Sequence, residues 1–321
     1  RLPPGPFVPV FLVGAPRSGS TLAEAALARH PRVAPAGEAP CLQDLGPTLK
    51  FQDALASQFT RIEELFLRKG HVLEMREKYF SCIFRHVHFE EGSQVTHVTD
   101  KWLQNFRLIG FSQLLFPEAK FVYCTREPLD VATSIFFVNF NRYKILRWFE
   151  FDFHETLKYI KLVWDAMHYW QDKLGISFHS MLYEETVQEF ERTVNDLVDF
   201  LELRATSEDF SAKDFYLSVS NVKTASHSQV RRALYTSSLN RWQKYSCQIL
   251  EFLLGGNHEL LAPSSFVDYD TMSTNKASAV TNDKQWRELF ADLNISDDDD
   301  GIASFFANNI RNITQLARCS C

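Results

Sequence analysis

The chain has 321 residues, with 34 Lys plus Arg against 40 Asp plus Glu, a formal net charge of −6, and 45% apolar against 23% charged residues. This is the balance of a globular protein with a sizeable core, and it excludes disordered, collagen-like and repeat chains. The acidic sum argues against duplex DNA or an anionic membrane as partner, since either needs a broad cationic field.

A Pro-rich lead (Pro3, Pro4, Pro6, Pro9) runs into residues 8–13, a β-branched and aromatic stretch ending at Gly14, which reads as a buried parallel strand. A tight loop follows, and then residues 21–30, rich in Ala and Leu and stopped by Pro31, read as a helix. Residues 96–99 read as a second strand, 106–116 as an apolar helix closed by Pro117, 120–125 as a third strand and 129–140 as a helix. Leu157, Ile160, Trp164 and Met167 recur at helical spacing. Residues 177–183 are strand-like, and 190–201 read as a helix. Strands alternating with helices predict an α/β fold: a P-loop-like three-layer arrangement with a central parallel sheet flanked by helices. From Ala262 onward periodicity fades, Ser, Thr, Asn and Asp accumulate, and Asp297 to Asp300 form an acidic run. Residues 1–261 are expected to be the catalytic domain and 262–321 a C-terminal extension, partly flexible.

Gly14-Ala15-Pro16-Arg17-Ser18-Gly19-Ser20-Thr21 has the length of a phosphate-cradling loop, with glycine at its first and sixth positions, a hydroxyl at its eighth, a strand before it and a helix after it. Backbone N–H groups and the positive end of a helix dipole suit a nucleotide phosphate. Where a nucleoside triphosphatase has its lysine this chain has Ser20, and a cation sits earlier as Arg17. The loop therefore predicts one phosphate and transfer of a group without metal, rather than a β,γ-phosphate held with magnesium. At the third strand, Tyr123-Cys124-Thr125-Arg126 puts an Arg at the strand's carboxyl edge, the ligand side of an open α/β sheet. Ser134 falls two turns into the next helix, so that both could meet one phosphate, the Arg by a bidentate fork.

These two stretches resemble the 5′-phosphosulfate loop and the 3′-phosphate motif of sulfotransferases that use 3′-phosphoadenosine 5′-phosphosulfate (PAPS, with PAP as product). Gly37-Glu38-Ala39-Pro40, Asp100 to Phe106, Thr125 to Phe140, Thr224 to Arg231 and Tyr235 to Trp242 extend the resemblance over roughly residues 8–250. They are most similar to the sulfotransferase domains attached to tetratricopeptide repeats and to the tyrosylprotein sulfotransferases. No such repeat is found in this chain.

The resemblance implies a PAPS-dependent sulfotransferase that moves a sulfuryl group to an acceptor hydroxyl by in-line displacement, with no metal. Glu38 is implied as general base, with Lys101 and Arg17 as electrostatic catalysts. The competing readings of Glu38 and Lys101 are a surface carboxylate and a surface lysine. Cofactor binding is assigned to Arg17, Ser18, Gly19, Ser20, Thr21, Arg126, Ser134, Tyr183, Ser226, Ser228, Arg231 and Arg241, where Arg241 replaces a lysine of the tyrosylprotein enzymes. His227 falls in the wrong motif for a base, and His86, His88 and His97 read as satisfied or exposed rather than as a metal site. The alternatives are a tyrosylprotein sulfotransferase specifically, a magnesium-dependent nucleotide kinase, and a PAP(S)-binding module without catalysis. Pro128-Leu129-Asp130 and Val138 depart from the Gly-Arg and second Arg of the tyrosylprotein enzymes, which weakens peptide tyrosine against a glycan, lipid or small-metabolite acceptor.

The aromatic fraction of 14%, with 28 Phe, 10 Tyr and 6 Trp, has two readings, core packing or an apolar acceptor pocket around Phe136, Phe137 and Phe140. The six cysteines show no CxxC pair and read as mostly buried free thiols in a chain too large to need a disulfide framework. No apolar run is long enough to span a bilayer. Asn294 and Asn312 fit the glycosylation pattern and read as chance matches. The expected compartment is the cytoplasm or, had an N-terminal anchor been removed, the Golgi lumen.

Overall fold

A computed structural model of the chain describes residues 3–45, 69–89, 92–137, 152–203 and 237–253. The chain divides into two compact units, Arg1–Thr125 with Val163–Tyr235, and Arg126–Leu162 with Thr236–Cys321.

The first unit holds a five-stranded parallel sheet of β1 (Val8–Gly14), β2 (Val33–Pro35), β3 (His97–Asp100), β4 (Lys120–Thr125) and β5 (His179–Leu182), in the order β2-β3-β1-β4-β5. Its helices are α1 (Ser20–Leu27), α2 (Lys69–Phe84), α3 (Ile109–Leu115), the later part of α5 (Phe153–Leu174), α6 (Tyr183–Gln188) and α7 (Phe190–Phe200). The second unit contains α4 (Pro128–Phe136), the start of α5, a 3₁₀ turn at Arg241–Tyr245 and α8 (Ser246–Leu253). This is the expected α/β class.

Alternation along β1 builds two different layers. Val10 and Leu12 point into a core made with Leu22, Ala23 and Ala26 of α1 and Val194, Leu197 and Val198 of α7. Phe11 points the other way. It stacks on Phe121 of β4, its register partner, with ring centroids 5.5 Å apart, and meets Tyr79 of α2 at 6.0 Å and Phe116 at 6.3 Å. Much of the aromatic excess is therefore structural in this unit: the layer behind β1 is built of rings.

Of the predicted strands, β4 matches its residues, β1 extends one residue further to Gly14, and β3 and β5 are shifted or shortened by one or two residues. The helix predicted over 106–116 is instead a 3₁₀ segment, Leu103–Leu108, followed by α3. The indole N–H of Trp170 donates to the Phe106 carbonyl at 2.7 Å, the acceptor that a continuous α-helix would offer to Gly110. The ring also lies over Gly110, where an added Cβ would meet it at 2.8 Å. Three-residue β2 and the helix α2 carried no clear periodic signal.

The cysteine reading is corrected. Cys41 and Cys82 form a disulfide with Cα atoms 5.6 Å apart, and Cys247 is also disulfide-bonded. Among the described cysteines Cys124 is the free one, buried at the end of β4. Pairing depends on two Cα atoms meeting at that distance, and a separation of 41 residues hides it from any spacing rule. The C-terminal extension, both glycosylation patterns and the boundary at 261 lie outside the described residues, among which no helix is long and apolar enough to cross a membrane.

Candidate active site

The order β2-β3-β1 sets three strand ends side by side on the carboxyl edge of the first unit's sheet. The turn after β2 carries Glu38, the residue after β3 is Lys101, and β1 runs into the Gly14 to Thr21 loop. Backbone bonds lock the first two together, since Lys101 N–H donates to the Gly37 carbonyl at 2.9 Å and Ala36 N–H to that of Thr99 at 3.0 Å.

The loop is bent by two left-handed residues, Arg17 (φ 69°) and Gly19 (φ 98°). For Gly19 the conformation costs little, whereas for Arg17 it stores of order 1 kcal/mol, a feature concentrated in ligand-binding turns. A Cβ on Gly14 would lie 2.3 Å from the Cys124 carbonyl, and one on Gly19 would lie 2.8 Å from the Tyr183 ring. Both glycines are thus set by close approach, of β4 in one case and of an aromatic face in the other. Arg17 and Ser18 are buried, and the Ser18 hydroxyl has no hydrogen-bond partner. Ser20 and Thr21 open α1, at the positive end of its dipole.

Lys101 is fully buried and donates from Nζ to Glu38 Oε1 at 3.0 Å. On its other side, 3.7 Å away, stands Oε2 of Glu24, a buried acid on the second turn of α1. Glu24 Oε1 in turn accepts from Thr99 Oγ1 at 2.9 Å and from Gly37 N–H at 3.1 Å. The result is a carboxylate–ammonium–carboxylate row in which Glu38 keeps about a quarter of its side chain exposed, at 24%, and the other two groups are sealed.

Asp100, between Thr99 and Lys101, points to the opposite face of the sheet. It accepts from Tyr79 Oη at 3.1 Å, Trp102 N–H at 3.1 Å and Asn105 Nδ2 at 3.0 Å. Burial outweighs these bonds and pushes its carboxyl up to about 7, while burial and the neighbouring charge of Asp100 raise the Tyr79 hydroxyl well above its ordinary value.

The second unit carries the other assigned cations. Arg126 lies 3.5 Å from the buried Asp130 carboxylate and donates from Nη2 to the Ser238 carbonyl at 2.6 Å. Asp130 also accepts from Trp242 N–H at 2.9 Å; burial raises its carboxyl, and the Arg126 charge pulls against that rise. Glu127 caps α4 by accepting from Asp130 N–H at 2.6 Å. Ser134 is buried on α4. The Arg241 guanidinium sits 5.6 Å from the Phe137 ring, and Phe136 and Phe137 are half exposed. Phe140, Ser226, His227, Ser228 and Arg231 lie outside the described residues.

Glu24, Thr99 and Asp130 had escaped the motif reading. The available signal for Glu24 was a single acid inside an Ala- and Leu-rich helix; for Asp130 it was an acid at i+4 from an arginine. Cys41, Cys82 and His86 offer metal-ligand atoms within 4.8 Å of one another, but the two sulfurs are bonded to each other and present no thiolates. A cavity of about 460 Å³ opens at that disulfide, with Leu45, Asp44, Glu74, Glu77, Lys78 and Arg85 among its lining residues.

Residues 9–208 match the family model described as the sulfotransferase family. The chain belongs to that family. An uncharacterized protein of Aquifex aeolicus (strain VF5) is 30% identical over 261 residues, which is 79% of this chain and 33% of that protein, so the chain spans about a third of the length of this curated relative. Among solved structures, the sulfotransferase domain from the Synechococcus PCC 7002 olefin synthase is 18% identical, covering 76% of this chain and 89% of that domain with a TM-score of 0.46. The sulfotransferase domain from the curacin biosynthetic pathway is 14% identical, covering 75% and 92% with a TM-score of 0.47.

Proposed function

We propose that the chain is a PAPS-dependent sulfotransferase in which Glu38 is the general base and Lys101 and Arg17 stabilise developing charge. The observation that carries this reading is the 3.0 Å pair between Glu38, partly open to solvent, and the sealed Lys101, on the sheet edge that also bears the loop. PAPS, when bound, supplies a sulfuryl group on a phosphate leaving group. The residues present fit its 5′ end: the buried Ser18 hydroxyl lacks a partner, Ser20 and Thr21 open a helix, and Gly19 leaves room for the Tyr183 ring. Arg126, Ser134 and Arg241 are proposed for the 3′-phosphate, with Tyr183 against the nucleotide and Ser226, Ser228 and Arg231 completing the binding set. Asp130 and the Ser238 carbonyl hold the Arg126 fork in place.

Glu38 takes the acceptor's hydroxyl proton onto a carboxylate oxygen. Its partial exposure lets an acceptor reach it, and exclusion of water by that acceptor raises its basicity. Lys101 orients the Glu38 carboxylate through their 3.0 Å pair and carries a positive charge to where negative charge accumulates on the bridging oxygen.

The Cys41–Cys82 bridge favours an oxidising compartment, such as the Golgi lumen, over the cytoplasm.

The test is incubation with ³⁵S-labelled PAPS, without magnesium, against a panel holding a tyrosine peptide, a glycan, a lipid alcohol and a small alcohol. Label is expected in one class, and Glu38→Gln is expected to keep PAP affinity and lose about 100-fold or more in turnover. Near wild-type turnover in the variant would remove Glu38 from the base role. PAP binding with no transfer by the wild type would leave a binding module, and stabilisation by ATP with magnesium alone would point to a kinase.

A further inference from the structure

We propose that Glu24 is a positioning residue for sulfuryl transfer: it stays paired with Lys101 and keeps it aimed after Glu38 has taken the acceptor's proton. This rests on the reading of Lys101 and Glu38 given above and adds a member to the same site.

A fully buried ammonium is costly without a counter-charge. Before reaction Lys101 has two, Glu38 at 3.0 Å and Glu24 at 3.7 Å, and the row carries a net single negative charge. Once Glu38 binds a proton it is neutral, and among the described residues Glu24 is the carboxylate that still faces Lys101. Among the described residues, Glu24 on α1 and Glu38 after β2 pair with the amine, and Cys124 on β4 feels its charge while burial pushes the thiol up to about 12 and keeps it uncharged. Asp100, the neighbour in sequence, is turned to the other face of the sheet by Tyr79 and Asn105.

The carboxylate is itself fixed at three points. Thr99 Oγ1 and Gly37 N–H both donate to Oε1, which leaves Oε2 directed at Lys101. The Gly37 bond also anchors the turn that carries Glu38, so one side chain of the helix following the loop sets both partners. A buried acid within an otherwise apolar stretch of α1 packs worse than a leucine would. It costs stability and sets a charge at a defined point, as expected when position serves chemistry.

The test uses release of ³⁵S-sulfate from PAPS in the absence of acceptor, so that no acceptor identity is needed, together with PAP titration. Glu24→Gln is expected to lower the release rate about 10- to 100-fold while PAP affinity stays within about threefold, and Glu24→Asp to recover part of the rate. In a Lys101→Met background Glu24→Gln is expected to cost nothing further. Thr99→Val leaves every charge in place and frees the Glu24 carboxylate to turn, so it should cost several-fold with Lys101 present and nothing without it. Equal losses in both backgrounds, or a folded Glu24→Gln protein with the wild-type rate, overturn the proposal. In protein labelled with [¹³Cε]lysine, Glu24→Gln is expected to displace the Lys101 signal at neutral pH, because the carboxylate 3.7 Å from its amine is lost, and an unmoved signal overturns the proposal. That reading needs no turnover: its failure counts against Glu24 alone, whereas absence of sulfate release in the wild type counts against the sulfotransferase assignment.

Discussion

Gly19 stands where the loop meets α1, with a left-handed φ of 98° and the Tyr183 ring 2.8 Å from where a Cβ would be. Gly19→Ala meets both obstacles at once. It is expected to cost about 1–3 kcal/mol, read as a lower unfolding midpoint, and to weaken PAP binding about tenfold or more in titration. Tyr183→Ala in the same chain relieves the steric part and leaves the φ penalty, so the double variant should recover part of the lost stability. Residue by residue, the loop was legible because its glycine and hydroxyl spacing between strand and helix is a fixed local pattern. Glu24 was not, since its meaning lies in Thr99 and Lys101, 75 and 77 positions further along the chain.

Among the elements, α2 is fastened to both segments that carry the proposed chemistry. Cys82 ties it to Cys41, three residues beyond Glu38, and Tyr79, one turn earlier, bonds Asp100 next to Lys101. The Cys41→Ser/Cys82→Ser variant should lose about 2–4 kcal/mol for a bridge closing a loop of this length, measured by urea unfolding without reductant. Its amide exchange should rise first around residues 37–45 and in α2. The tie was hidden in sequence because α2 shows no clean apolar stripe: its buried face is completed by Arg76, whose guanidinium bonds the Leu115 and Pro3 carbonyls and Glu118 and lies over the Phe116 ring. The strands of the sheet interior were readable for the opposite reason. Buried on both faces, the interiors of β1 and β4 read as apolar runs.

Over the whole molecule, the pH dependence of stability contains two opposed titrations. Burial, aided by the Arg32 charge, lowers His97 from 6.5 to about 4, and burial raises Asp100 from 3.8 to about 7. The depressed His97 contributes stability that is present above pH 6.5 and lost as pH falls toward 4. The raised Asp100 contributes stability that is present below its unfolded value near 4 and lost as pH climbs toward 7. Between about pH 4 and 6.5 the unfolded chain holds one more proton at His97 and one fewer at Asp100, so the two slopes cancel. His97→Gln is expected to expose the falling slope and Asp100→Asn the rising one, each about 1.4 kcal/mol per pH unit. Urea midpoints at pH 4.5, 5.5 and 6.5 check this, and a variant with the wild-type profile would show that its group does not titrate as described.

Sequence alone determined the α/β class and the family, because each is written in local order: apolar strands, helix stops, and a glycine- and hydroxyl-rich loop between strand and helix. It also supplied Glu38 and Lys101 as separate residues in separate motifs. Only the tertiary structure brought those two to 3.0 Å, put Glu24 behind them and joined Cys41 to Cys82. The neighbour order β2-β3-β1 decides which strand ends meet, and that order comes from packing and hydrogen bonding between segments far apart in the chain, for which no local pattern exists.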